Sequence, residues 1–300
     1  MRYLHLDVFT DTRFEGNQLA VFPEPAGLSD LQMQTIAREM NFSECTFIFP
    51  LETPGTDVRM RIFTPGEELP MAGHPVIGST FALVKEGVIA PGRDSFVFGL
   101  GVGPTPVSLE WKGSALDFAW MTQKTPAFGG RIADRAAFAA ALGLVAADLV
   151  DAPPQSVSCG VPFLVAGLAT RRAVDAVALD LRAYAAVCAA SGVDSLPLFI
   201  FTTAASDTAG DEIAYSRMLA PGFGISEDPA TGSASGPLGC YLHEYGLVDR
   251  ARLSHIVSLQ GVKMLRPSRI HISLDATDDR ITRVRVGGRS VFVGEGTLTL

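Results

Sequence analysis

PMAGHPVIGSTFALVKEG (Pro70–Gly87) and PATGSASGPLGCYLHEYG (Pro229–Gly246) are one passage written twice. Each opens on a proline, places a glycine three positions on (Gly73, Gly232), and closes on a second glycine 17 positions after the proline. Alignment sets Ala72 against Thr231, His74 against Ser233 and Leu83 against Leu242. Upstream, Arg61 and Pro65-Gly66 echo Arg217 and Pro221-Gly222, with three extra residues in the second gap. A repeat at this separation predicts two related halves, each with a strand, a tight turn and a central helix.

Each copy puts a glycine at the first turn of its helix. Without a Cβ, the backbone there is open to close approach. A helix N-terminus also presents unpaired N–H groups and the positive end of the macrodipole. Two such ends facing one cleft would grip an anionic group such as a carboxylate. Polar side chains stand beside both turns: His74 in the first, Asp228 and Ser233 in the second.

Outward from the repeat, short β-rich runs recur. Strands are predicted over Tyr3–Phe9, Gln18–Phe22, Cys45–Phe49, Val58–Phe63, Pro162–Gly167, Pro197–Thr202, Glu212–Leu219, Arg269–Leu274, Ile281–Val286 and Val291–Leu300. Ser29 followed three residues later by Gln32 is a capping box. It opens a helix with Leu31, Ile36 and Met40 as its apolar face and Asn41 as its stop. Further helices are predicted at His74–Lys85, Ala133–Leu142, Leu181–Ala190 and Ser233–Tyr245. The Gly/Pro-rich turn around Pro126–Gly130 is the expected boundary.

Composition fits a soluble globular chain. Of 300 residues, 47% are hydrophobic and 19% charged, and at this length roughly 75% of the unfolded surface can be buried. A net charge of -8 argues against a nucleic-acid partner, because phosphate contacts need clustered Lys and Arg. No stretch of about 18 apolar residues suggests a membrane span. The start offers no signal peptide, and Cys45, Cys159, Cys188 and Cys240 are scattered. Reduced thiols in the cytoplasm are the expectation.

Other chemistries find little support. Gly99-Leu100-Gly101-Val102-Gly103 and Gly294-Glu295-Gly296 complete no phosphate-binding motif and read as turns. The histidines His5, His74, His243, His255 and His271 show no metal-ligand spacing. Gly232-Ser233-Ala234-Ser235-Gly236 lacks the surroundings of a hydrolase nucleophile. Neither a cofactor nor a metal is expected.

Three segments and the tail together resemble the PhzF family of phenazine-biosynthesis isomerases. They are DVFTDTRFEGNQLAVF (Asp7–Phe22), MQTIAREMNFSECTFIF (Met33–Phe49), the two helix-start motifs RIFTPGEELPMAGHPVIGSTFAL and EDPATGSASG, and the tail QGVKMLRPSRIHISL with VRVGGRSVFVGEGTLTL. The resemblance runs from about residue 3 to residue 300. It implies the α/β fold of diaminopimelate epimerase: two pseudo-symmetric halves, each a curled sheet or barrel around a central helix. The expected halves are residues 1–125, with 288–300 returning to them, and 126–287. The active site would lie in the cleft between them, and homodimers are usual in the family.

The resemblance carries over residue by residue. The catalytic glutamate falls on Glu44, and His74, Asp228 and Ser233 match substrate-contacting positions. Gly73 and Gly232 match the helix-start glycines, Thr231 stands beside the second, and Asn17 lies in the Gly-Asn turn. A free glutamate titrates near about 4.3. Enclosure in an apolar cleft would raise it towards about 6–7, where it can both take and return a proton. In two-base relatives each helix start carries a cysteine; here those positions are Ala72 and Thr231. The expected function is therefore a cofactor-independent isomerase moving a proton on a small cyclic or unsaturated carboxylic or amino acid. The competing readings are a two-base amino-acid racemase or epimerase and a non-catalytic binder of small carboxylates. Nothing in the motifs shows that phenazines are made.

Overall fold

The computed structural model describes residues 1–204, 211–278 and 280–299. It divides into two compact units: Met1–Thr122 with Arg266–Arg269 and Val286–Leu300, and Gln123–Leu265 with Ile270–Arg285.

In the first unit the strands are β1 (Arg2–Val8), β2 (Asn17–Phe22), β3 (Glu44–Pro50), β4 (Val58–Phe63), β5 (Glu68–Leu69), β6 (Ser95–Leu100), β7 (Gly103–Lys112) and β8 (Ala115–Gln123). The helices are α1 (Asp30–Met40) and α2 (Gly73–Lys85). β1 and β2 form a hairpin, β2 and β3 run parallel, β3 and β4 antiparallel, and β6 joins β4 in parallel. Helix α2 is buried along ten of its residues, from Gly73 to Leu83. Its mostly apolar circumference is what a helix enclosed by a sheet requires. Gly78 marks the closest approach: a Cβ there would stand 2.5 Å from Leu19 Cδ2 on β2 and 2.6 Å from Val8 Cγ2 on β1. Thr46 on β3 and Ser79 on α2 share a buried hydroxyl–hydroxyl bond of 2.9 Å.

Helix α1 covers the other face of the sheet. The Ser29–Gln32 capping box forms, and Asn41 closes the helix in the left-handed region at φ 52°. Its buried face is Met33, Ile36 and Ala37, against Phe22, Phe47 and Phe63. Leu31, expected on that face, is 76% exposed. Five positions before Ile36, it stands about 140° around the helix.

The second unit repeats this order. Its strands are β9 (Ala127–Arg131), β10 (Gln155–Ser158), β11 (Pro162–Gly167), β12 (Leu198–Thr202), β13 (Ala214–Ala220), β14 (Ile225–Asp228) and β15 (Ile256–Gln260). Three strands follow: β16 (Ser268–Thr277), β17 (Arg280–Gly288) and β18 (Ser290–Thr297). The chain crosses from one unit to the other within β16 and β17, and β18 pairs with β1 of the first unit. The second unit's helices are α3 (Arg135–Ala141), α4 (Arg171–Ala176), α5 (Leu181–Ala190) and α6 (Gly232–Glu244). β10 and β11 form the hairpin, β11 and β12 run parallel, β12 and β13 antiparallel, and β15 joins β13 in parallel. Helix α6 is the buried centre, packed among Phe163, Phe199, Phe201, Ile256 and Ile272.

The repeat also holds in side-chain detail. Arg61 on β4 grips Glu68 on β5 with Nε and Nη2, 2.7 and 2.6 Å from the two carboxylate oxygens. Arg217 on β13 grips Glu227 on β14 in the same two-pronged way, at 2.9 Å for each bond. Both glutamates stand two positions before the repeat's opening proline. Anchoring the comparison on these arginines sets Phe47, opposite Arg61, against Ile200, opposite Arg217. Three residues earlier, Glu44 then corresponds to Pro197.

Several expectations need correction. The stretch around Pro126–Gly130, read as a turn, lies mostly in strand β9, because β10 pairs with it and Gln155 Nε2 bonds Gly129 O at 2.9 Å. Gly294-Glu295-Gly296, also read as a turn, lies within β18, paired with Tyr3, Leu4 and His5 of β1. A Cβ at Gly296 would meet the Tyr3 ring at 2.7 Å, so glycine serves packing there. Strands β5 to β8, β10, β14 and β15 and helix α4 were not anticipated. The predicted strand Val291–Leu300 ends on a residue outside those described. No helix among the described residues is long and apolar enough to cross a membrane.

Candidate active site

Among the described residues, four of the six α-helices begin on a side-chain cap: Ser29, Asp134, Thr170 and Asp180 each accept from the first turn. The two central helices do not; neither Ala72 before α2 nor Thr231 before α6 caps its helix. Both therefore keep first-turn N–H groups that no cap occupies, the arrangement that receives an anion.

In the first unit, β2, β3 and α2 bring Asn17, Glu44, Gly73 and His74 together. Glu44 opens β3 and pairs across with Leu19, and it is 9% exposed. His74, at the second position of α2, is 3% exposed. Its Nδ1 lies 3.3 Å from Glu44 Oε2 and 3.2 Å from Asn17 Nδ2. Burial pushes the His74 imidazole down to about 3, only partly opposed by the Gln18 backbone. The ring is thus neutral near pH 7, and its contact with Glu44 is not an ion pair. An amide nitrogen can only donate, so the Asn17 contact is a hydrogen bond when Nδ1 is the acceptor and the ring proton sits on Nε2. Cys45, the next residue on β3, faces the opposite side, into the Phe22–Phe47–Phe63 cluster.

In the second unit, Asp228 ends β14, and Thr231, Gly232 and Ser233 lead into α6. Thr231 Oγ1 donates to Asp228 Oδ2 at 2.5 Å. Asp228 and Thr231 are 5% and 6% exposed, and Ser233 is half-buried. Two glutamines overlooked in the sequence organise this turn. Gln260, fully buried on β15, accepts from Thr231 N at 3.1 Å and donates to Asp228 O at 2.7 Å and Thr231 Oγ1 at 3.0 Å. Gln123 Nε2 donates to Gly232 O at 2.9 Å. Its side chain fills the space a Cβ at Gly236 would need, 1.9 Å from Gln123 Oε1. Gln260 heads the tail segment QGVKML, so a signal was present, but only the fold gives it a partner. All four cysteines are buried, and the hydrogen bond with Cys159, together with burial, raises the Cys240 thiol.

The His74 shift has a consequence for stability. The unfolded ring binds its proton near 6.5, the native ring only near 3, so falling pH favours the unfolded chain. This contribution is complete above about pH 6.5 and is lost between there and about pH 3. Between pH 7.5 and 5 it amounts to about 2 kcal/mol. Denaturant titrations at both pH values should show a loss smaller by that amount in His74→Gln. Equal losses in the two proteins would contradict a neutral buried ring.

The PhzC-PhzF family profile, described as phenazine biosynthesis-like protein, matches residues 6–296. The chain is 34% identical over 295 residues to a trans-2,3-dihydro-3-hydroxyanthranilate isomerase of Pseudomonas aeruginosa, covering 98% of each chain. A Bacillus anthracis phenazine biosynthesis protein of the PhzF family superposes with a TM-score of 0.84 at 23% identity, over 100% of this chain and 99% of that one. A probable proline racemase from Agrobacterium radiobacter shares the fold alone, with a TM-score of 0.63 at 12% identity, over 100% of this chain and 93% of that one. A repeated unit with a buried central helix, matched along nearly its whole length, makes this chain a member of the PhzC-PhzF phenazine biosynthesis-like family, an isomerase with the epimerase-like fold.

Proposed function

We propose that the chain isomerises a small cyclic or unsaturated carboxylic or amino acid, with Glu44 moving one proton between two carbons on the same face of the substrate. One observation carries this reading: the buried Glu44 beside the neutral His74 has no counterpart in the second copy, where Pro197 stands. The repeat thus offers one carboxyl group at that place, and the positions of the two-base thiols hold Ala72 and Thr231. Glu44 accepts the proton as a C–H bond breaks, the double bond shifts, and the same proton forms the new C–H bond. Nothing is oxidised or reduced. The uncapped start of α2, beside Glu44 and His74, receives the carboxylate. Fixed donors aimed at developing enolate-like charge contribute most to such a step.

Trans-2,3-dihydro-3-hydroxyanthranilate, the compound named for the similar Pseudomonas aeruginosa isomerase, is the first substrate to try, in D₂O. A single shuttling carboxyl returns part of the substrate's own hydrogen to the product. Product labelled only from solvent, at full turnover, would favour two exchanging bases. Binding without turnover across a wider panel of cyclic and unsaturated acids would favour the carboxylate-binding protein.

A further inference from the structure

The turn before Asn17 is held in an unusual way. Phe9 and Phe14 occupy the left-handed region at φ 64° and 72°, where residues with a side chain are uncommon. Gly16 joins them at φ 69°, where a Cβ would meet Val8 O at 2.4 Å. Phe9, at the start of the turn, is buried, and Arg13 Nε donates to Phe292 O at 2.9 Å, but Phe14 at the tip is 71% exposed. The tip is held by a buried carboxylate. Asp7, fully buried on β1, accepts from Phe14 N at 2.6 Å with one oxygen and from Arg266 Nη2 at 2.5 Å with the other. The same guanidinium donates to Glu15 O and Gly16 O, each at 2.7 Å. Pro267 O accepts from Gly16 N at 3.1 Å. His5 Nε2 lies 4.0 Å from the Asp7 carboxylate, but burial lowers its pKa, so Arg266 is the compensating cation. The next residue after this clamped turn is Asn17.

We propose that the Asp7–Arg266 pair is a positioning device for the catalytic site. By fixing the Phe9–Gly16 turn, it holds the Asn17 amide against His74 Nδ1. That contact keeps the ring proton on Nε2 and turns a lone pair, not an N–H, towards Glu44. A lone pair there is complementary to the acid form of Glu44, the form that delivers a proton. The inference extends the reading of Glu44 as the acid/base. Its structural half, control of the His74 tautomer, can be tested without any substrate.

The readout is ¹⁵N NMR of the imidazoles in uniformly labelled full-length protein, with His74 assigned by the signal lost in His74→Gln. The unaltered protein should show His74 as a single Nε2–H tautomer. Arg266→Lys keeps the charge but cannot span Asp7, Glu15 and Gly16, and should give mixed tautomers. Asp7→Asn/Arg266→Gln removes both buried charges together, so that neither is left uncompensated, and should do the same. On whichever substrate is established, kcat should fall about 10–100-fold through the misplaced ring, with KM changing far less. Asn17→Leu should reproduce the tautomer change with the clamp intact. A single unchanged tautomer in either clamp variant that folds, or an Nδ1–H tautomer in the unaltered protein, overturns the proposal. Should Glu44 prove not to be the acid/base, the tautomer result would still stand or fall by itself.

Discussion

Glu44→Gln is expected to lower turnover by about 10²–10⁴-fold, the usual contribution of a positioned acid or base. Glutamine keeps the shape of the side chain and most of its hydrogen bonding. It cannot carry a proton from one carbon to another. Substrate binding, measured separately by calorimetry, should change far less, because the start of α2 is untouched. Loss of both binding and turnover would point to a collapsed site, and the imidazole spectrum of His74, whose Nδ1 lies 3.3 Å from Glu44, would show it. Near-normal turnover would falsify the assignment and make Asp228 the next candidate base.

Arg217→Met is expected to cost about 3–5 kcal/mol of stability, the range for breaking a buried ion pair from one side. Arg217 is 8% exposed. Besides holding Glu227, its Nη1 donates to Val174 O at 2.9 Å and Val177 O at 3.3 Å, closing the end of α4. Methionine fills the space but leaves Glu227 and these carbonyls unpaired. Its counterpart provides the control. Arg61 bonds Asp30 and Glu68, which are 82% and 41% exposed, and water can replace it at both. Arg61→Met should therefore cost no more than about 1 kcal/mol. Denaturation of both variants, each against the unaltered protein, tests the contrast. Equal losses would show that burial does not separate the two forks.

The repeat makes the centre of each unit legible in the sequence. A proline, a glycine and an apolar run at matched spacing are local features, and α2 and α6 begin within a residue of their predicted starts. Strand β7 escaped because Pro104 and Pro106 interrupt it. A proline within an apolar run argues against a strand, yet both prolines fall on exposed positions while Thr105, Val107 and Leu109 turn inward. Partners far apart in the chain escaped for another reason. Asp7 and Arg266 are 259 positions apart, and the Gln260 contacts reach back 29 to 32 positions. No periodicity connects such pairs. Glu44 and Asn17 are named because the family motif carries them, while His74 stands out in the repeat as well. Their mutual contact, and the tautomer it selects, belong to the fold.

The matched arginine forks bear on ancestry. A tandem duplication leaves two copies free to diverge, and the divergence here is selective. Both copies retain the fork, the parallel strand pair and the enclosed helix. They differ at Glu44 against Pro197, His74 against Ser233, and Asp228 against Leu69. The framework occurs twice while each of these reactive groups occurs once. New reactions can therefore arise by changing single positions at the mouth of either copy, with the sheet and its helix left as they were.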